Sequence, residues 1–402
     1  MNAPVSIKLK KHARDMNKDR HLIRDRNLAV LFCVTLIVVM GVSSIAPAFP
    51  KISQALGISK KETALLITVF TFPGIFLSPF IGVLSDRVGR KKLLVPSLFL
   101  FALSGASCAL TANFSLLLAL RFFQGVGAAA LGSLNLTIIG DIYSGEKRIR
   151  ALGYNSTVLS IGAATYPSLG GAIALLGWNF PFLLSLFAVP VGIAVLCVLK
   201  NPEPKMDEHI FDYLKNTMKG VKEPRIYILF AGTLATFILL YGVIFSFFPF
   251  YFKEQFNAGP LAIGLLISSI SVGTMIGSFN LGRLSETFSS RLLILAGFLM
   301  YSFAIVSAML VSNFVFLALP FFLYGFANGI NIPSTQALLA ERIPMEYRGA
   351  FMSINSTVLR VGQTVGPMLT GAALVFGNSA VFYASALFSF LVFVFLGLGL
   401  SD

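Results

Sequence analysis

Asn155-Ser156-Thr157-Val158-Leu159 recurs, letter for letter, as Asn355-Ser356-Thr357-Val358-Leu359. The same separation pairs Gly162 with Gly362, Pro167 with Pro367 and Gly171 with Gly371 downstream, and Gly125 with Gly325 and Gly82 with Gly282 upstream. Leu84-Ser85-Asp86 likewise answers to Leu284-Ser285-Glu286, while Asp141, Glu146 and Arg148 answer to Glu341, Glu346 and Arg348. Chance supplies a pentapeptide match somewhere, but not one register held over so much of a chain. The sequence is a duplication.

Composition says what was duplicated. The chain has 402 residues, 56% of them hydrophobic and 12% charged, with a mean hydropathy of +0.82, which excludes a water-solvated globule. A helix needs about 20 apolar residues to cross the hydrocarbon core of a membrane. The first unit offers such runs near 27–48, 63–83, 93–111, 114–139, 151–175 and 178–199. The second offers them near 226–250, 260–281, 291–311, 314–340, 349–373 and 377–399. Six is even, so both units enter the membrane in the same direction and are related by an axis along its normal, with a substrate site expected between them near the midplane. The predicted fold is an all-α membrane protein of twelve transmembrane helices in two pseudo-symmetric six-helix bundles, 27–199 and 226–402. Residues 1–26 form a basic tail and 200–225 a polar, proline-bearing linker. Within that linker His209 to Met218 reads either as a short amphipathic helix or as a solvated loop.

The net charge of +14 does not gather on a soluble domain, so it does not indicate nucleic acid. Of the 31 basic residues, Lys51, Lys60, Lys61 and Lys253 fall on one side of the spans, Arg121 and Arg360 lie inside them, and all the others fall on the side of the termini. That excess predicts a cytoplasmic location for both termini. The first apolar run is too long for a secretion signal and reads as a retained span. Cys33, Cys108 and Cys197 sit in apolar spans and give no disulfide framework.

The loop after the second span reads Gly82-Val83-Leu84-Ser85-Asp86-Arg87-Val88-Gly89-Arg90-Lys91-Lys92, a glycine-punctuated turn with one acid among its bases. It resembles the signature loop of the major facilitator superfamily. The resemblance implies that Asp86 faces the N-terminal end of span 11, where unpaired amides attract negative charge, and that Arg90 pairs with Asp141 at the end of span 4. Gly82, Gly89, Glu286 and Glu341 complete the implied cytoplasmic gate, which holds the halves together on that side and breaks when the protein opens inward. The plainer reading is a basic loop that only fixes topology.

Span 4 carries Arg121-Phe122-Phe123-Gln124-Gly125-Val126-Gly127-Ala128-Ala129, similar to a second motif of that family associated with proton-coupled members. Arg121 lies ~10 Å below the outer end of its helix, and either snorkels outward or faces the cavity. Span 5, with Gly153, Gly162, Tyr166-Pro167 and Gly170-Gly171, is similar to the helix motif of the drug antiporters. Tyr166 departs from the glycine of that pattern, which Gly366-Pro367 keeps in the duplicate, so the tyrosine either alters the packing or projects a ring nearby. Gly41 and Pro47-Ala48-Phe49-Pro50 close span 1 as in the twelve-span drug:proton antiporters.

All 17 acids lie in tails, loops or span ends, and no histidine lies within a span. Arg121 and Arg360 are therefore the lysine- and arginine-type charges left inside the bilayer, and Arg360, close to the midplane, needs a partner. That partner is either a carbonyl beside Gly366-Pro367 or an amide such as Gln363, or else an anionic group of a substrate. Gln124, Asn135, Asn155, Asn328, Asn331, Asn355 and Gln363 are costly facing lipid, so they either line the cavity or tie helices together. Tyr241 and Phe245 to Phe252 offer an adaptable aromatic wall.

The resemblance implies efflux of amphiphilic small molecules by proton antiport with alternating access, with the bilayer, protons and the transported molecule as partners, no cofactor or metal, and a monomer. A rival reading is an organic-anion carrier or facilitator using Arg121 and Arg360, and a rival of another class is a membrane sensor or scaffold without transport. Enzymatic function lacks a nucleotide-type glycine loop, a metal-ligand cluster and a nucleophile with a base.

Overall fold

The computed structural model describes residues 22, 25–200, 223–343 and 348–400. Most of the basic tail, the linker from 201 to 222 with its His209–Met218 segment, and Glu346 lie outside the described residues, as do the side chains of Gly82, Asp86 and Arg348. Among the described residues twelve long helical segments follow one another. We label them α1 (Arg26–Leu56), α2 (Lys60–Val88), α3 (Arg90–Cys108), α4 (Phe114–Ile142), α5 (Gly145–Ile173) and α6 (Phe180–Val198). The second set is α7 (Pro224–Phe256), α8 (Pro260–Thr287), α9 (Ser290–Leu310), α10 (Val315–Arg342), α11 (Arg348–Ala373) and α12 (Asn378–Gly399).

The helices start where local chemistry tells them to. At α2 the Ser59 hydroxyl accepts from the Glu62 amide at 3.1 Å while the Glu62 carboxylate accepts from the Ser59 amide at 2.7 Å, a reciprocal cap. Asn113 caps α4 by accepting from the Leu116 amide at 3.0 Å. Between α2 and α3 the chain turns on Gly89 alone, at φ 102°, a conformation that a side chain would strain.

Ten of the twelve helices combine the length and the apolar composition needed to cross a membrane. The other two, α5 and α11, have 29 and 26 residues, long enough to span, but are more polar. They are the helices of the repeated pentapeptide, and their polarity has a structural outlet: each lies between the halves instead of facing lipid on all sides.

Two apolar cores organise the molecule. One is built from α1 to α6 around residues such as Leu28, Phe101, Leu131 and Phe182, the other from α7 to α12 around Phe298, Tyr301, Phe321 and Phe382. Residues of α7 cross over: half-buried Tyr241 and Phe245 pack against the first core. Phe250 of α7 belongs to the first core, its ring centroid 6.5 Å from that of Phe49. The halves meet along two antiparallel helix pairs, α2 with α11 and α5 with α8. The end of the bundle that holds both described chain ends is called the terminal face, and the opposite end the far face.

Within α7, Leu239 to Phe247 coil as a π-helix, a wide form that marks functional segments more often than plain ones. Here α11 presses closest. A Cβ added at Gly242 would lie 2.5 Å from the Gly366 carbonyl oxygen, and one at Gly366 would lie 2.6 Å from that of Ile238. Gly366-Pro367 therefore serves a helix crossing, and Gly362 serves it one turn earlier, against Leu234 and Phe237.

Candidate functional site

At the far face the halves interlock through backbone. Gly171 of α5 leaves no room for a Cβ against the Pro260 carbonyl of α8, and Gly264 of α8 leaves none against the Pro167 carbonyl of α5. Ser168 and Ser268 share a hydrogen bond of 2.6 Å between these contacts. Close backbone approach of this kind is what small residues provide in membranes. On the other pair, the Thr68 hydroxyl donates to the Thr364 carbonyl at 3.2 Å, and the Thr71 and Thr364 hydroxyls lie 2.9 Å apart. Lys60 and Glu254 form an ion pair of 2.5 Å across the halves, and Asn378 donates to Glu254 at 3.2 Å. This face is closed.

The ion pair is about one-third to two-fifths exposed, so it contributes roughly 0.2–1 kcal/mol. Glu254→Gln is accordingly expected to raise the population open at the far face no more than about fivefold, read as maleimide labelling of a cysteine introduced at Ser268. Complete loss of closure would show that the ion pair, and not the glycine contacts, holds this face shut.

The two intramembrane arginines occupy different environments. Arg121 is 1% exposed and fully engaged inside the first half: Nε donates to the Leu66 carbonyl at 3.1 Å, Nη1 to Gln124 Oε1 at 2.6 Å and Nη2 to the Gly41 carbonyl at 3.1 Å. The guanidinium also lies 4.1 Å over the Phe70 ring. It ties α1, α2 and α4 together, neither snorkelling outward nor standing between the halves. Arg360 does stand there, half-buried, with Nη1 donating to Gln363 Oε1 at 3.3 Å. Half-buried Tyr241 adjoins both Arg360 and Gln363.

The buried amides divide between the two halves. Asn155 accepts from the Thr35 hydroxyl at 2.5 Å, and Asn135 donates to that hydroxyl at 2.5 Å, joining α1, α4 and α5. In the second half Tyr301 donates to Asn328 at 2.6 Å, and Asn331 donates to Thr236 and to Tyr301 at 3.4 Å each, joining α7, α9 and α10. These residues tie helices within each half. Asn355 departs from its duplicate: Ala235 stands where the repeat places Thr35, and the buried Asn355 Oδ1 accepts no hydrogen bond from the described residues. Tyr166 folds its ring back over Gly162, where an added Cβ would lie 3.3 Å from the ring and 3.1 Å from Leu36. So the tyrosine projects a ring where its duplicate, Gly366, admits a neighbouring backbone.

At the terminal face Arg90 and Asp141 form an ion pair between the start of α3 and the end of α4. Both belong to the first half. Ser290 holds the duplicate place of Arg90, and Glu286 and Glu341 are exposed. Arg342 and Glu223, at 2.5 Å, join α10 to the start of α7 instead.

Sequence reasoning missed the Lys60–Glu254 pair, the threonine contacts of α2 with α11, and the two glycines beside Arg360, Gly74 and Gly132. Thr68 and Thr71 had a signal, since two hydroxyls three residues apart mark one polar edge of an apolar helix. Which helix faces that edge follows only from the packing.

The chain is similar to known proteins. A family model described as Major Facilitator Superfamily matches residues 31–255 and again 229–401. The Bacillibactin exporter of Bacillus subtilis (strain 168) is 28% identical over 391 residues, 92% of this chain and 95% of its own. The Multi-drug resistance efflux pump PmrA of Streptococcus pneumoniae is 28% identical over 377 residues, 90% of this chain and 92% of its own. The Quinolone resistance protein NorA of Staphylococcus aureus is 24% identical over 371 residues, covering 87% and 90%. Among solved structures, a bacterial homolog to the human lysosomal transporter Spinster, in an inward-facing and occupied conformation, superposes with a TM-score of 0.77 at 18% identity, covering 92% of this chain and 96% of its own.

Proposed function

This chain belongs to the Major Facilitator Superfamily, and on that premise we propose that it exports amphiphilic small molecules by alternating access, driven by proton antiport. It is a transporter and not an enzyme, and its relatives include efflux proteins. One observation carries the reading of alternating access: two separately cored bundles meet along α2–α11 and α5–α8, interlocked through glycines at the far face. Such a contact is made and unmade by tilting rigid halves, without refolding either.

Three further elements belong to the proposal. The bundles are the units 27–199 and 226–402, with 1–26 as the cytoplasmic tail and 200–225 as the linker; the terminal face is cytoplasmic by the charge bias, in a bacterial cell membrane; and the chain works as a monomer. The pathway is lined by Tyr241, Asn355, Arg360 and Gln363. Arg121, with Gln124, keeps the first half stiff, while Asp86 and the Arg90–Asp141 pair, with Gly82 and Gly89, respond as that half tilts. No carboxylate lies in the middle of a described span, so coupling to protons falls to the acids at the faces.

The experiment is transport in proteoliposomes holding the full chain, across cationic, neutral and anionic dyes. With the chain inserted so that its far face opens to the lumen, an acidic lumen is expected to drive dye inward, and a protonophore to abolish the accumulation. Accumulation that ignores the proton gradient would remove antiport from the proposal; no transport of any dye would remove export.

A further inference from the structure

We propose that Arg360 forms an anion-binding subsite between the halves, so that its ligand is an amphiphile carrying a compact negative group, a carboxylate, sulfonate or phosphate, on an apolar body. The proposal rests on the export reading and names the substrate class for it.

Arg360 lies midway along α11, yet its surroundings belong mainly to the other half. A Cβ at Gly74 of α2 would lie 3.1 Å from Arg360 Cδ, and one at Gly132 of α4 would lie 3.3 Å from Nη2 and 3.9 Å from Val38 of α1. Two glycines thus leave the space that the guanidinium fills. Helices from both halves wall it in, so the exposure it retains opens to the crevice between them and not to lipid.

Its partners are too few for its charge. A guanidinium presents five donors, and among the described residues its one hydrogen bond is the 3.3 Å contact with Gln363. Tyr241 is the titratable group beside it; no carboxylate adjoins it among the described residues. A cation at this depth costs several kcal/mol unless it is paired. Arg121 shows how the same chain treats an arginine meant only to hold helices, with three hydrogen bonds and a ring beneath it. Arg360 has a fork left over, and a carboxylate or phosphate oxygen pair fits that fork.

The rest of the ligand has a surface to lie on. Phe237, Tyr241 and Phe245 follow one another along α7 with ring centroids 6.3 and 5.3 Å apart. Such rings bind by area and leave the shape of the apolar body open, while the anion is fixed at one point. Because the arginine comes from one half and its glycine cradle from the other, occupancy of the subsite responds to the tilt of the halves.

The test uses the full chain in detergent with two probes that share one fluorophore, dansylglycine as the carboxylate and dansylamide as the neutral partner. Arg360→Gln is expected to weaken dansylglycine about tenfold or more and dansylamide less than about twofold. Gly132→Val, which keeps the charge and crowds its cradle, is expected to give the same selective loss, and Arg360→Lys an intermediate one. Equal weakening of both probes, no weakening of either, or no binding of dansylglycine to the unmodified chain overturns the subsite. So does displacement of dansylglycine by chloride at equal concentration, which would make the site one for inorganic anions. Proteoliposomes separate the two claims: selective binding without transport of either probe leaves the subsite standing and sinks export, whereas unimpaired dansylglycine transport by Arg360→Gln sinks the subsite alone.

Discussion

Gly171→Leu is expected to abolish transport while leaving the protein folded and held open at its far face. The residue meets the Pro260 carbonyl with no space for even a Cβ, and its opposite number, Gly264, meets Pro167 in the same way. A leucine there presses on backbone, which cannot swing aside as a side chain can. Overpacking of that kind costs about 1–3 kcal/mol, and it is charged only to the state in which α5 and α8 touch. The equilibrium between the two openings then shifts by roughly 5- to 150-fold. Spin labels at Ala112 and Ser312, on exposed far-face loops of the two halves, should report a longer distance in the variant, with the melting temperature little changed. An unaltered distance would mean that the far face does not close through this contact.

Arg121→Ala should act in the opposite way, on folding first. Removing the guanidinium strands two backbone carbonyls and the Gln124 amide in a site 1% exposed, and opens a void over the Phe70 ring. Each buried acceptor left unpaired costs about 1–3 kcal/mol. The measurement is thermal unfolding in detergent, where a large drop is expected, with Arg121→Lys recovering part of it because an ammonium cannot serve three separated acceptors at once. Normal unfolding combined with lost transport would move Arg121 from the framework to the pathway.

The fold was legible because two independent signals agreed. The repeat centred on Asn155 and Asn355 fixed the number and direction of the units, and the apolar runs fixed their content. Spans 5 and 11 were read as apolar runs like the other ten although they are the more polar ones, since a helix between two bundles need not be greasy all round. The ion pair of Arg90 with Asp141 was implied by the resemblance and is present. The roles of the buried amides were less legible. Asn155 and Asn331 read equally well as cavity or strut, and only the placement of Thr35 and Thr236 shows that they brace each half from within. Arg121 and Arg360 look alike in sequence, two lone arginines in apolar helices. They differ because Leu66, Gly41 and Gln124 surround one and two glycines of the opposite half surround the other.

The π-coiled stretch of α7 has a mechanical consequence. Within it Tyr241 and Phe245 pack against the first core, and beyond it so does Phe250, while Leu229, Leu239, Phe248 and Phe252 belong to the second, so this rod is held by its own body along its length and touched by the other on one side. When the bodies part, that side loses its neighbours. Nine residues wound in wide, short turns lengthen on returning to ordinary α pitch, which makes residues 239 to 247 the stretch of this rod that rewinds as the motion proceeds. Amide exchange there should quicken during turnover relative to α9, and exchange as slow as that of α9 would leave the strain to be absorbed elsewhere.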